Sequence, residues 1–222
     1  MKKRLFYYLL MLALLGSCAA LKPKREVVDN ILSSSSPKMT VKVDPSLTYL
    51  GDLRYGKWTY DVSEYYKKQQ TQKVHAFVFV TAEGTMIKKA LIIKIHKMKK
   101  DRHFTADQLA HKKNILDRGN LRLAGKRFQY YSKAIIITMG DPVAEYIYNK
   151  GYTTPDHVLM TRIMRVRDLG KTLINFNYYE DISDSGFGDY NSWRNKDDLY
   201  DEQWNYLDES KKNCLTAFEI LQ

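Results

Sequence analysis

Two segments with strong strand character, KVHAFVFVT (73–81) and KKALIIKIHKM (88–98), flank the short stretch AEGT (82–85). Both segments are rich in the β-branched and aromatic residues that favour strands. Gly84 in the connecting stretch suits a tight turn, because glycine adopts left-handed backbone conformations without steric penalty. The pattern predicts a β-hairpin.

The second of these segments also alternates in polarity. Leu91, Ile93 and Ile95 fall on one side of a strand, and Lys94 and His96 fall on the other, because successive side chains of a strand point to opposite faces. This alternation predicts a sheet that is covered on one face only.

Four further segments have strand character. Two of them are NLRLAGKRFQYY (120–131) and KAIIITM (133–139). The other two, HVLMTRIMRVRDL (157–169) and KTLINFNYYED (171–181), predict a second hairpin that turns at Gly170-Lys171.

Two helices complete the predicted fold. Thr105 and Gln108 fit a capping box, in which each side chain satisfies a free backbone amide of the other residue. This helix is expected to run to about Asp117 and to end at Gly119, and a last helix is expected over about 197–221, where apolar residues recur at helical spacing. The predicted fold class is α+β, an antiparallel sheet of about 5 to 7 strands with two main helices on one face.

The amino terminus has a positive start, MKKR (1–4), and then an apolar run of eleven residues (5–15). Small residues follow, and together these are the features of a secretory signal peptide. The run is too short to span a bilayer, which needs about 20 apolar residues. The sequence LGSC (15–18) resembles the lipobox of bacterial lipoproteins.

The resemblance implies that the thiol of Cys18 receives a diacylglyceryl group, that residues 1–17 are removed, and that the new amino group is acylated. Two or three fatty chains, such as palmitate, hold a protein firmly on a bilayer, whereas one chain gives only marginal attachment. Ala19 occupies the position where aspartate is the enterobacterial signal for inner-membrane retention, which implies the outer membrane of a diderm bacterium. The alternative is an ordinary cleaved signal peptide followed by an unmodified cysteine.

Residues 18–38 are predicted to form the lipidated amino terminus and a flexible tether. Pro23, Pro37 and the run Ser33–Ser36 offer little to pack, although a short helix around residues 25–32 is an alternative within this stretch. The remaining residues, 39–222, are predicted to form a single globular domain, since their number permits a real core.

The chain is basic, with a formal net charge of +11 that falls to +8 when the signal peptide is removed. Residues 94–133 hold twelve Lys or Arg and three acids, and residues 180–209 hold ten acids and two bases. These regions either face each other or coat opposite surfaces, or they make a dipolar protein whose basic face meets an anionic surface such as lipid head groups. Nucleic acid is not expected as a partner, because an exported lipoprotein rarely meets it.

The chain has two cysteines, Cys18 and Cys214. If Cys18 is lipidated, Cys214 has no intramolecular partner. A thiol in an oxidising compartment is normally paired or hidden, so Cys214 is expected to be buried in the last helix, and an intermolecular disulfide is the alternative.

Signatures of common catalytic and phosphate-binding sites are absent from the sequence. His103, Asp107 and His111 have a spacing that would suit zinc on one helix face, but the capping box at Thr105 places His103 before the helix. The stretch DISDSGFGD (181–189) has weak similarity to a calcium loop but lacks the final glutamate. Neither a metal nor a cofactor is predicted.

Aromatic residues are abundant, with seventeen tyrosines. Tyrosine and tryptophan combine apolar area with a polar group, which suits interfaces and sugar-binding platforms, although they also pack half-buried sheets. The candidate contact surface for an envelope protein or a glycan is formed by Trp58, Tyr60, Tyr190 and Trp193.

The sequence therefore predicts a lipoprotein anchored in the outer membrane that acts as a non-enzymatic binding or assembly component of the envelope. The alternative is an envelope hydrolase with an active site that the motifs do not reveal. An enzyme would show a deep cleft with convergent His, Asp or Glu groups, whereas a binding module would show a shallow aromatic patch.

Overall fold

The computed structural model describes residues 23–61, 67–99, 102–104, 114–138 and 140–221, with the side chains of 58–61, 67–70 and 184 outside the description. The elements of these residues are eleven strands and two α-helices. The strands are β1 (Arg25–Val28), β2 (Ile31–Ser35), β3 (Lys38–Val43), β4 (Thr48–Asp61), β5 (Lys67–Glu83), β6 (Met86–Met98), β7 (Asp117–Leu123), β8 (Lys126–Ile136), β9 (His157–Arg167), β10 (Thr172–Asp181) and β11 (Phe218–Ile220). The helices are α1 (Pro142–Asn149) and α2 (Asp201–Thr216).

Seven strands form one large antiparallel sheet in the order β4-β5-β6-β10-β9-β8-β7. Both predicted hairpins are confirmed: β5 pairs with β6, placing Phe77 opposite Ile93, and β9 pairs with β10. The segment 120–131, predicted as one strand, is itself a hairpin, because the chain turns at Ala124 and Gly125 with positive φ at both residues. The antiparallel sheet of the predicted fold class is confirmed.

A second sheet of four strands, β1-β2-β3-β11, contains much of the predicted tether. The prediction of a flexible segment over 18–38, or of a helix around 25–32, is wrong from Arg25 onward because these residues form β1 and β2. In β2, Leu32 and Ser34 are buried on alternate positions. Serine is small enough to pack there, and β1 and β3 satisfy the backbone polar groups on both sides.

One face of the large sheet, the packed face, carries Phe77, Ile93, Phe176 and Ile163, and the second sheet covers it. The ring of Phe176 stacks on that of Phe218 from β11 with centroids 4.3 Å apart and an interplanar angle of 3°. Helix α2 lies on the same side of the sheet, where Cys214 joins this core.

The opposite face, the cavity face, carries Val78, Ile92, Lys94 and Arg162, and α1 covers part of it through Val143 and Ile147. Lys94 is 7% exposed and His96 is 2% exposed. The prediction of a sheet covered on one side is therefore wrong, because polar residues on the second face are buried as well.

The helices differ from the prediction in position and arrangement. Residues 105–113 of the first predicted helix lie outside the described residues, and its expected end is wrong, because residues 117–123 form β7 and Gly119 pairs with Tyr130. Helix α1 was not predicted, and the expectation of two helices on one face is wrong, since α1 and α2 lie on opposite faces.

The last helix is confirmed over a shorter range than 197–221. It begins after Tyr200, whose backbone N–H donates to the side chain of Gln203 at 3.1 Å. It ends at Thr216, and the next residues pair as β11 with β3. Neither α-helix of the described residues combines the length and apolar character that crossing a bilayer requires.

Candidate ligand-binding site

The cavity face holds a cavity of about 600 Å³, the outer cavity, which several strands and the start of α1 build together. Because side chains alternate along each strand, every second residue of β4, β6, β8, β9 and β10 can point into it. The polar and aromatic lining residues are Tyr55, Lys57, Lys94, Tyr131, Lys133, Asp141, Arg162, Tyr179 and Tyr190.

The charge of the outer cavity is strongly positive. Four of its lining residues are lysine or arginine, and Asp141 is the single acid in the lining. A concave site with cations of one sign and low-dielectric walls concentrates the field and attracts anions. Tyrosine hydroxyls beside the cations add neutral hydrogen-bond donors.

Lys94 is the most deeply placed of these cations. It is 7% exposed and projects from the centre of the large sheet, and it has no hydrogen-bond or ion-pair partner among the described residues. The pKa of Lys94 is lowered to about 8: burial is the main cause, Asp141 opposes it, and the charges of Arg162 and Lys57 act in the same direction as burial. A buried ammonium without a partner is unfavourable, so an anion beside it would remove a penalty that the folded chain carries.

Arg162 is held in place by its neighbours. Its Nε donates to Asn177 Oδ1 at 2.6 Å, and its guanidinium lies 5.5 Å from the ring centroid of Tyr131. Such an arginine loses little further freedom when it binds a carboxylate or phosphate with its planar fork. Burial raises the pKa of Tyr179 to about 12, so this hydroxyl stays protonated and can donate.

Asp141 offsets only one of the four positive charges of the outer cavity, and it also has a structural role. Its Oδ1 accepts a hydrogen bond from the Val143 N–H at 2.8 Å and so caps the amino terminus of α1. This structural role, which satisfies an otherwise free helix amide, explains an acid among cations.

A neutral polar network lies on the same face next to Lys94. His96 Nδ1 is 3.1 Å from Gln72 Oε1, and its Nε2 is 3.1 Å from Asn175 Nδ2. These contacts fit a ring that donates from Nδ1 and accepts at Nε2. Burial, helped by nearby lysines and Arg162, lowers the pKa of His96 to about 2, so the ring stays uncharged.

A smaller cavity of about 110 Å³, the inner cavity, adjoins the outer one. The two share five lining residues, among them Lys94, Asp141 and Tyr179. Away from this shared wall the inner cavity is lined mainly by aliphatic side chains, namely those of Ile87, Ala90, Ile92, Ile137, Val143, Ala144, Ile147 and Val158. The site therefore has a cationic part, in the outer cavity, and a mainly apolar part, in the inner cavity.

The predicted contact residues do not form one surface. Tyr190 lines the outer cavity. Trp193 is 1% exposed and its Nε1 donates to the Phe187 carbonyl at 2.7 Å, so its prediction as a contact residue is wrong and it is a core residue. Trp58 and Tyr60 lie on β4, but their side chains, like all of Cys18, are outside the described residues.

The metal candidates gain no support. Asp107 and His111 lie outside the described residues. In the segment 181–189, Asp181 Oδ1 accepts from Ser183, and its other oxygen pairs with Lys88 at 3.0 Å. Over the part of the chain that the structure describes, no three His, Cys, Asp or Glu side chains are placed to hold a metal ion.

Cys214 is buried, as predicted, and burial raises the pKa of its thiol, with the charge of Glu180 acting in the same direction. The thiol is therefore unreactive in the folded protein.

A second basic cavity, of about 830 Å³, lies where the described chain begins at Pro23. His75, one of the residues that line this cavity, lies between Asp52 and Arg25. Its Nε2 donates to Asp52 Oδ2 at 2.6 Å, and its Nδ1 lies 3.3 Å from Arg25 Nη1. Burial outweighs Asp52 and lowers the pKa of His75. The basic residues that line this cavity are Lys24, Arg25, Arg54, Lys73 and Lys97.

Sequence reasoning missed Lys94, Lys133 and Arg162 as site residues. Two of them did carry a signal, because Lys94 interrupts the run LIIKI and Arg162 lies in the apolar segment HVLMTRIM. A charged side chain within an apolar strand is rarely buried unless it has a partner or binds a ligand. Comparison of the chain with family models, with curated protein sequences and with solved structures finds no match.

Proposed function

We propose that this protein is a lipoprotein anchored in the outer membrane through Cys18, and that its domain is a non-enzymatic binding module of the envelope whose outer cavity takes an anionic ligand. The lipobox supports the anchor, and the cavity supports the binding role. The single observation that carries the binding role is the position of Lys94, which is 7% exposed, lines a cavity with three further cations and has no hydrogen-bond or ion-pair partner among the described residues.

The second basic cavity supports the proposed attachment. Pro23, the first described residue, lies five positions after Cys18, and basic side chains line the cavity beside it. Basic residues close to a lipid anchor strengthen binding to anionic head groups, by about 1 kcal/mol for each lysine or arginine near the surface. The domain would then sit with this end toward the membrane.

The anchor is tested by labelling cells with palmitate. Labelled palmitate is expected to enter the wild-type protein and to be absent from Cys18→Ala, which should be recovered in the soluble fraction. Equal labelling of the two proteins would overturn the lipoprotein proposal.

The binding role is tested by titrating residues 23–222 with inorganic phosphate at low ionic strength. Lys133→Gln removes a cation of the outer cavity and should weaken binding by about tenfold. Lys126→Gln, on the same strand β8 but outside the cavity, is the matched control and should leave the dissociation constant unchanged. Absence of phosphate binding to the wild type, or equal losses in both variants, would refute the role.

An envelope hydrolase is the second candidate, and one observation favours it. The pKa of Lys94 is lowered to about 8. A fraction of the protein molecules therefore has this amine in its neutral form at physiological pH, as a general base requires. The described lining of the outer cavity offers tyrosine hydroxyls but no serine, threonine, cysteine or histidine. Turnover of p-nitrophenyl esters that is lost in Lys94→Met would favour this candidate, and binding without turnover would favour the binding module.

A further inference from the structure

The apolar inner cavity has no role in holding a simple anion. It lies beside the charged site and shares its wall at Lys94, Asp141 and Tyr179. Its remaining lining is mostly aliphatic, and side chains from β6 and α1 contribute much of it. An apolar group of matching size can leave water by entering space that is lined mostly by aliphatic side chains.

The size of the inner cavity sets the size of that group. At about 110 Å³ it is comparable to a cavity of roughly 150 Å³ that holds benzene in another protein core. The space therefore fits one ring or one short branched chain and is too small for a long acyl chain.

We infer that the ligand is an amphiphilic anion, in which a phosphate or carboxylate carries one compact apolar group. The anion lies among Lys94, Lys133 and Arg162 in the outer cavity, and the apolar group enters the inner cavity past the shared wall. This inference rests on the proposed function, since it assigns the ligand class of the same site.

The charged lining residues of the inner cavity support this orientation. Lys88 lines the inner cavity and pairs with Asp181 at 3.0 Å, so its charge is matched within the protein. Lys94 is not matched in this way by any described residue. An anionic group is therefore drawn to the Lys94 side of the shared wall, and the apolar group faces the aliphatic side.

The test compares three probes on the purified full chain: inorganic phosphate, phenyl phosphate and phenol. Phenyl phosphate is expected to bind at least about tenfold more tightly than inorganic phosphate, because the ring leaves water for an apolar space. Phenol, which lacks the anion, should bind more weakly than phenyl phosphate by a similar factor.

Variants of the inner cavity give the decisive comparison. Ala144→Leu places extra carbons in the inner cavity from α1 and should reduce the advantage of phenyl phosphate to less than about threefold, with inorganic phosphate unaffected. Tyr148→Leu, on the same helix at a residue that is 71% exposed, is the control and should keep the full advantage. Ala90→Val, which fills the cavity from β6, is a second variant should Ala144→Leu fail to fold.

The outcomes separate the two proposals. If inorganic phosphate binds but the phenyl group adds nothing, or if Ala144→Leu keeps the full advantage, the amphiphile inference is overturned and the anion-binding function stands. If phenol binds as tightly as phenyl phosphate, the anion is unnecessary and the inference is also overturned. If no probe binds, the proposed function fails and the inference fails with it.

Discussion

The two faces of the large sheet differ in the side chains that they bury and in how completely they are covered. The packed face joins Phe77, Ile93 and Phe176 to the second sheet in an apolar core, and buried polar groups of this face are hydrogen-bonded, as Ser132 is to Thr161. The cavity face buries Lys94 and His96 among aliphatic residues, and α1 covers only part of it. Both faces are formed by the same strands. Alternate residues of a strand therefore pack the core on one face and line the proposed ligand site on the other.

The two faces contribute to the stability of the fold with opposite signs. Apolar burial contributes about 25 cal/mol for each Å² removed from water, so the packed face stabilises the fold directly. A buried ammonium is unfavourable, so Lys94 destabilises the empty protein. A site that is destabilised when empty and relieved by its ligand is typical of functional residues.

The largest effect is expected on the packed face. Phe176→Ala removes a ring that is 1% exposed and that stacks on Phe218, which should lower the free energy of unfolding by about 3 to 5 kcal/mol. Urea denaturation monitored by circular dichroism measures this loss. A loss below about 1 kcal/mol would mean that the second sheet does not cover this face as described.

On the cavity face, a substitution at Lys94 is expected to raise the free energy of unfolding. Lys94→Met should raise the free energy of unfolding at pH 7 by about 1 to 3 kcal/mol, because the substitution removes a buried charge while keeping similar volume. The ordinary lysine pKa of 10.5 falls to about 8 in the folded protein. Below pH 8 both states of the wild type carry the proton and the folded state bears the full penalty.

The pH dependence of the Lys94→Met effect follows from this shift. As pH rises from about 8 to 10.5, the folded lysine loses its proton while the unfolded chain keeps it, so wild-type stability rises and the advantage of the variant shrinks. Denaturation of the two proteins at several pH values checks this trend. An advantage that stays constant with pH would show that Lys94 is not buried as a charge.

A further effect of about 1 to 3 kcal/mol is expected where α2 meets the packed face. Cys214→Ser should lower the free energy of unfolding by this amount, because a polar hydroxyl would be buried in place of the thiol. Cys214→Ala is the control that removes the sulfur without adding a hydroxyl. Rapid reaction of the native thiol with a thiol reagent would contradict the burial.

The sequence predicted the pairing of strands within hairpins, but it did not predict the second sheet that packs against them. The hairpins at 73–98 and 157–181 follow from local features, because β-branched runs and a turn residue lie close together in sequence. The second sheet brings β11 next to β3 across most of the chain. No local pattern encodes that contact, and Ser33–Ser36 therefore resembled a linker.

The candidate site was difficult to predict for a related reason. Alternation in β6 showed that Lys94 and Ile93 lie on opposite faces of the sheet, but it did not show that α1 would cover part of the face that carries Lys94. Trp193 was misassigned because tryptophan suits a contact surface and a packed core equally well, and its indole is buried in the core. Composition predicts polarity, whereas burial depends on tertiary contacts.

The most direct test of the account uses two arginines on β9. Arg162 belongs to the cavity face and Arg165 to the packed face, and each guanidinium lies over an aromatic ring at 5.5 and 5.7 Å from its centroid. Calorimetric titration with inorganic phosphate should show that Arg162→Gln weakens binding by about tenfold and that Arg165→Gln leaves it within about twofold of wild type. Equal weakening by both substitutions, or none by Arg162→Gln, would contradict the assignment of anion binding to the cavity face.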